Sequence, residues 1–194
     1  KHNIRVSYFE FLTIIAFIYY SRKNVDFAVL ETGLGGISDA TNIITNTLVS
    51  VISSVDYDHT RILGATLTEI ATKKSGIIKP NSHTVIYKLA DEAMYVVKEK
   101  CKKENNTLHV LTAKDISNYI YNEDYQYFDY KNLPNVSVNL KGIKQSINAS
   151  IAIETMNILK VGMVQQSCGD DIQANIEKLK GNIRKCAEQG AQLV

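Results

Sequence analysis

At 194 residues the chain has room for one domain comfortably and for two only tightly, and 45% hydrophobic against 22% charged residues is the balance of a soluble globular protein with a real core. A net charge of +2 leaves no strong electrostatic footprint for nucleic acid or an acidic membrane surface. The most apolar stretch, residues 11–20, is interrupted by Thr13 and is too short to span a bilayer, and nothing resembles a signal peptide.

In chain order, Ser7 and Glu10 form a capping box that predicts a helix over 8–22. That helix is apolar on nearly every face, so it is expected to be buried by neighbours. VDFAVLE (25–31) is a β-branched apolar run, expected as a parallel strand covered on both faces, and LVSVISSV (48–55) reads the same way. Thr66 and Glu69 repeat the capping box before a short helix ending near Lys74, with Gly76 placed to terminate it. Pro80 leads into a third strand at 83–87. An amphipathic helix over 90–103 and a fourth strand at 107–111 follow.

Between 113 and 140, tyrosines, asparagines and acids alternate, which predicts a small antiparallel patch at the edge of the main sheet. Helices are expected over 145–160 and 171–183, the second with Ile172, Ile176, Leu179 and Ile183 on one face. Strands alternating with helices make this an α/β protein with a mostly parallel sheet flanked by helices. Cys101, Cys168 and Cys186 are an odd number at spacings unlike a metal site, which reads as reduced thiols in a cytoplasmic protein. Lys1 in place of a methionine suggests a piece of something longer.

The glycine cluster in VLETGLGGISDATN (29–42) first suggests dinucleotide binding. The G-x-G-x-x-G pattern, however, needs glycine or alanine at position 38, which is Ser38, and a helix for which 37–47 leave little room. A P-loop is excluded, because none of the ten glycines precedes a lysine. Open parallel sheets bind ligands beyond the carboxyl ends of their strands. There the sequence delivers Glu31 from one strand and Asp56, Asp58 and His59 from the next. A carboxylate and an imidazole on adjacent strand ends suit one divalent cation, while Gly33, Gly35 and Gly36 permit close backbone approach to a ligand. Glu31 equally suits a turn cap, and His59 a helix start. Lys74, beside Lys73, suits the negative end of a helix dipole, and Asp39 and Asn42 suit turns.

Together, SYFEFLT, VLETGLGGISDATN, SVDYDHTRILGATLTEIATKKSGIIKP and LKGIKQSINASIAIETMNIL resemble, in order and over about residues 5–160, the folylpolyglutamate and dihydrofolate synthases of the Mur ligase superfamily. The resemblance implies a Mur-ligase-like central ATPase domain, with residues 1–194 a single truncated α/β domain. It implies an ATP- and Mg²⁺-dependent ligase that joins L-glutamate to a folate or to dihydropteroate through an acyl phosphate. Glu31 and His59 match the family's metal ligands. Lys74 matches the lysine that becomes carbamylated and then helps to hold metal. Asn148 matches the asparagine that contacts adenine, and Asp39 and Asn42 lie in a segment near the folate and phosphates.

Departures accompany the likeness. The family's glycine-rich phosphate loop and its glutamate-binding carboxy-terminal domain have no counterpart in these residues, so the missing segments of a parent ligase are expected partners. Ile37, Lys73 and Lys144 stand where the family has arginine, glutamate and histidine. The isolated chain is therefore expected to turn over little. The alternatives are a non-catalytic binding or scaffold module derived from a ligase, and a nicotinamide-dependent oxidoreductase.

Overall fold

A computed structural model describes residues 5–160 and 171–188, which fall into two compact units, 1–110 and 111–194. Cys168 lies outside the described residues. In the first unit, Ser7 Oγ accepts from the Glu10 N–H at 3.2 Å while Glu10 accepts from the Ser7 N–H at 2.7 Å. This reciprocal box starts helix α1 (Tyr8–Lys23), and Asn24, in the left-handed region at φ 50°, ends it. The expected burial of α1 does not follow: only Thr13 among its residues is buried, and Tyr8, Phe11, Ile15 and Tyr19 are exposed. An all-round apolar helix needs neighbours on every side. Helix α1 packs against the short 3₁₀ turn Ala40–Ile43, and its Phe9 ring lies against Gly33.

The strand expected at 25–31 is also corrected. The segment runs without a ladder partner, and Val25, Phe27 and Val29 are exposed. β-branched residues favour extended backbone, but a strand exists only where another strand takes its N–H and C=O groups. The expected strand at 48–55 shortens to β1 (Val49–Ile52), which pairs in parallel with β2 (His83–Tyr87), Val51 opposite Val85. β3 (Thr107–Leu111) completes a parallel sheet of order β1-β2-β3. Between β1 and β2 run a short helix α2 (Thr60–Leu63) and α3 (Leu67–Lys74), the latter opened by the Thr66–Glu69 box. Gly76 is not its terminator. Ser75 is the cap, and Gly76 sits inside the 3₁₀ turn Ser75–Ile77. Helix α4 (Asp91–Lys103) closes the crossover from β2 to β3. Ile52, Ile78, Ile86, Met94, Val97 and Cys101 form the core of this unit. Burial raises the pKa of the Cys101 thiol and keeps it protonated.

In the second unit, β4 (Ile116–Tyr121), β5 (Gln126–Tyr130) and β6 (Leu133–Val138) form the expected antiparallel strands, with β5 in the middle. They make a separate sheet and not an edge of the parallel one, since among the described residues no strand of theirs pairs with β1, β2 or β3. Helix α5 (Ile143–Leu159) lies against β4 and β6. Tyr130 and Lys131 both donate to Glu154 Oε2 at 2.6 Å, and burial first, then the Glu154 carboxylate, pushes the Tyr130 phenol far above its ordinary range. Helix α6 (Ile172–Glu188) follows with its expected apolar face exposed, Ile172, Ile176, Leu179 and Ile183 included. Among the described residues no helix is long and apolar enough to cross a membrane.

Candidate functional site

The glycine turn at 33–36 is seated on the C-terminus of α3. A Cβ on Gly36 would lie 2.7 Å from the Lys73 carbonyl oxygen and 2.8 Å from that of Lys74. The next amide, Ile37 N–H, donates to Lys73 O at 3.0 Å. A Cβ on Gly76 would meet the Ile37 backbone nitrogen at 2.6 Å. Gly36 and Gly76 thus let backbone approach backbone here, while Gly33 and Gly35 make room for the Phe9 and Leu63 side chains.

Two side chains close the turn from the other side. Asp39 accepts from the N–H groups of Leu34 and Thr41 at 2.8 and 2.9 Å and from the Thr41 hydroxyl at 2.5 Å. Partial burial raises the pKa of its carboxyl. Hydrogen bonds from Thr41, then from the Leu34, Thr41 and Gly33 backbones, outweigh burial and hold it below the ordinary aspartate value. Asn42 donates to Gly76 O at 3.2 Å and so ties the turn to the residues after α3. A pH dependence follows from the lowered Asp39 value. A depressed carboxyl stabilises the fold above its unfolded pKa, near 3.9, and the contribution disappears as pH falls through the folded value. Protection of the Leu34 and Thr41 amides, relative to their intrinsic exchange rates, should therefore fall below about pH 4, and in Asp39→Ala it should be lost at every pH. Equal protection of both amides at neutral and low pH would refute this.

Lys74, the last residue of α3, donates Nζ to Ser54 O at 3.0 Å, on the chain leaving β1, and Lys73 Nζ reaches Ile62 O at 2.6 Å. Lys74 is thereby joined to the same loop that carries Asp56, Asp58 and His59. His59 precedes α2 in the left-handed region at φ 49°, an uncommon conformation for a residue with a side chain. Its N–H donates to Asp58 Oδ1 at 2.7 Å, and its Nε2 lies 3.7 Å from Asp58 Oδ2. Both side chains are exposed. Glu31 is exposed as well, and among the described residues no hydrogen bond or ion pair engages its carboxylate.

Among the described residues no group of three or more histidine, cysteine, aspartate or glutamate side chains is gathered for a metal. The donor chemistry still fits Mg²⁺, which keeps most of its waters and takes one or two carboxylates beside substrate phosphates instead of a full protein cage. Lys74 as an ammonium is a donor of protons and cannot ligate; it would have to change its charge to join such a set.

Asn148 belongs to the second unit. It is exposed on α5, with its amide donating to Gln145 Oε1 at 3.4 Å. Sequence reasoning missed Ser54 and Asp58 as partners of Lys74 and His59, because a backbone carbonyl leaves no mark in a sequence and a D-H pair reads as two independent candidates.

Residues 5–156 match the Mur ligase middle domain. A folylpolyglutamate synthase of Arabidopsis thaliana is 37% identical over 155 residues, covering 78% of this chain and 24% of its own length. The dihydrofolate synthetase of Saccharomyces cerevisiae is 31% identical over 183 residues, covering 92% and 42%. The solved structure of an FPGS–AMPPCP–folate complex superimposes with a TM-score of 0.74 at 34% identity, over 80% of this chain and 39% of that one. The chain spans about a quarter to two fifths of the length of these proteins.

Proposed function

This chain belongs to the Mur ligase middle-domain family, and from that premise we propose that it is the central part of an ATP-dependent ligase joining L-glutamate to a folate or to dihydropteroate. What supports the reading in the structure is the junction at the end of β1, where Lys74 reaches the carbonyl of Ser54 at 3.0 Å and so tethers the loop of His59 to α3.

The chemistry is two transfers. A carboxylate oxygen of the pterin substrate attacks the γ-phosphorus of ATP, the bond to the bridging oxygen breaks, and ADP leaves. The glutamate nitrogen then attacks the acyl carbon, the C–O bond to phosphate breaks, and the nitrogen loses a proton to give amide and inorganic phosphate. Catalysis of this kind is mainly positioning and charge compensation. Glu31 and His59 would hold Mg²⁺, with carbamylated Lys74 as a further oxygen donor; when bound, the cation offsets charge on the phosphates. Asn148 presents a side-chain amide suited to the edge of adenine. Asp39 and Asn42 hold the turn in place and face the folate and phosphate region through it.

The scaffold reading has one observation in its favour: Lys73 and Lys74 both spend their ammonium groups on carbonyls. Calorimetric titration of MgATP into the 194-residue chain separates the two. The ligase reading expects one saturable site that Glu31→Ala removes. Heat that is absent, or unchanged in the variant, would overturn it for this chain and favour the scaffold. Ligase turnover of the chain alone should be slight, since no glycine–lysine phosphate cradle occurs in its sequence.

A further inference from the structure

Helix α5 begins without the devices that its own sequence ordinarily supplies. Gly142, at φ 111°, is its N-cap, no side chain of the segment caps it, and its first turn carries no acidic residue. Lys144 instead places a cation at the positive end of the helix dipole, where it is unfavourable. Nothing would meet a Cβ on Gly142 within 4 Å, so the glycine is there for its backbone angle, not for space.

The missing cap comes from the antiparallel sheet. Gln126 is the first residue of the middle strand β5, paired with Tyr121 on one side and Val138 on the other, and it is 0% exposed. Its Oε1 accepts from the Gly142 N–H at 3.1 Å and from the Tyr119 hydroxyl at 3.0 Å. Tyr119 Oη also lies 3.4 Å from Gly142 O, and its ring stacks on buried Phe128 with centroids 6.1 Å apart. The fixed amide continues inward. Gly142 O accepts from the Gln145 N–H at 2.9 Å, and Gln145 Oε1 accepts from Asn148 Nδ2 at 3.4 Å.

We propose that Gln126 is a positioning residue for Asn148: it fixes where α5 starts, and through Gly142 and Gln145 it sets where the Asn148 amide is offered to an adenine ring. The claim rests on the ligase reading for the identity of the ligand, but its structural half stands apart from that reading. It also gives the small antiparallel sheet a task. The sheet is the seat of the helix that reads the base, built of strands so that a buried glutamine is held from both sides.

The test uses the 194-residue chain and two readouts. In Gln126→Leu, hydrogen exchange at Gly142 should accelerate on the order of tenfold, the loss of one hydrogen bond, and the Asn148 side-chain amide resonances should move. Gln126→Glu, which keeps the acceptor, should restore the protection. In Gln126→Leu, affinity for MgATP should fall about tenfold while affinity for magnesium tripolyphosphate, which lacks the base, stays unchanged. Should Gln126→Leu fail to fold, Tyr119→Phe, which removes one of the two donors to Gln126, should move the Asn148 resonances in the same direction by less. Unmoved Asn148 resonances, or equal losses for ATP and tripolyphosphate, would overturn the proposal. If the wild-type chain binds neither, the ligase reading fails for this chain, and positioning is decided by exchange and resonances alone.

Discussion

Gly36→Ala should destabilise the first unit by about 2–4 kcal/mol, combining the usual cost of overpacking with one lost backbone hydrogen bond. The added methyl would arrive 2.7 and 2.8 Å from two carbonyl oxygens at the end of α3, and backbone at a helix terminus has little freedom to retreat. The turn would have to lift away, taking with it the Ile37–Lys73 hydrogen bond and the Asn42–Gly76 tie. Urea unfolding followed by circular dichroism gives the number, as a fall in midpoint at unchanged slope. Gly181→Ala is the control. Its Cβ meets nothing within 4 Å on α6, so the change should be neutral or stabilising by up to about 1 kcal/mol. If the two substitutions had the same effect, the seating of the turn on α3 would be wrong.

On the proposed ligase reading, Lys74→Ala should lower turnover of a ligase that contains this domain by about 10²–10³-fold, the range for removing one preorganised electrostatic group from a transition state. Two roles of the lysine are at stake: the observed tie of the His59 loop to α3, and the proposed one, in which a carbamylated Lys74 would supply oxygen in place of an ammonium. Bicarbonate separates them. Carbamate forms from the neutral amine, so MgATP affinity of the 194-residue chain should rise with added bicarbonate, more so at higher pH, and Lys74→Ala should be indifferent to it. A carbamate carbon signal from labelled bicarbonate should appear in the wild type and vanish in Lys74→Arg. A bicarbonate response identical in wild type and variant would leave Lys74 with the tether alone.

The local grammar was the most legible part of the sequence. Ser7–Glu10 and Thr66–Glu69 are contained within four residues each, and both helices start where those boxes put them. The strands at 83–87 and 107–111, the helix after 90 and the antiparallel stretch were legible for a related reason: each announces its period over five or more residues. What failed was everything that depends on a distant partner. VDFAVLE has the composition of a buried strand, yet a ladder belongs to two segments and composition describes one. Gly33, Gly35 and Gly36 announced close approach, expected there of a ligand; in the structure Phe9 meets the first, Leu63 the second and the α3 carbonyls the third. At the candidate site the residue types were readable from family likeness. The strand-end argument failed for Glu31, since 25–31 forms no strand, and the Lys74–Ser54 link was not legible, since its acceptor is main chain. Gln126 gave no signal beyond being the one polar residue between two tyrosines on a half-buried strand.

His59 holds a left-handed backbone at φ 49° immediately before α2, a conformation that glycine adopts freely and an imidazole-bearing residue only at some cost. Screening variants of this chain for thermal resistance alone would thus favour glycine at this position and discard the imidazole nitrogen. On the proposed reading of His59 as a metal ligand, selection for durability and selection for chemistry pull in opposite directions at that residue.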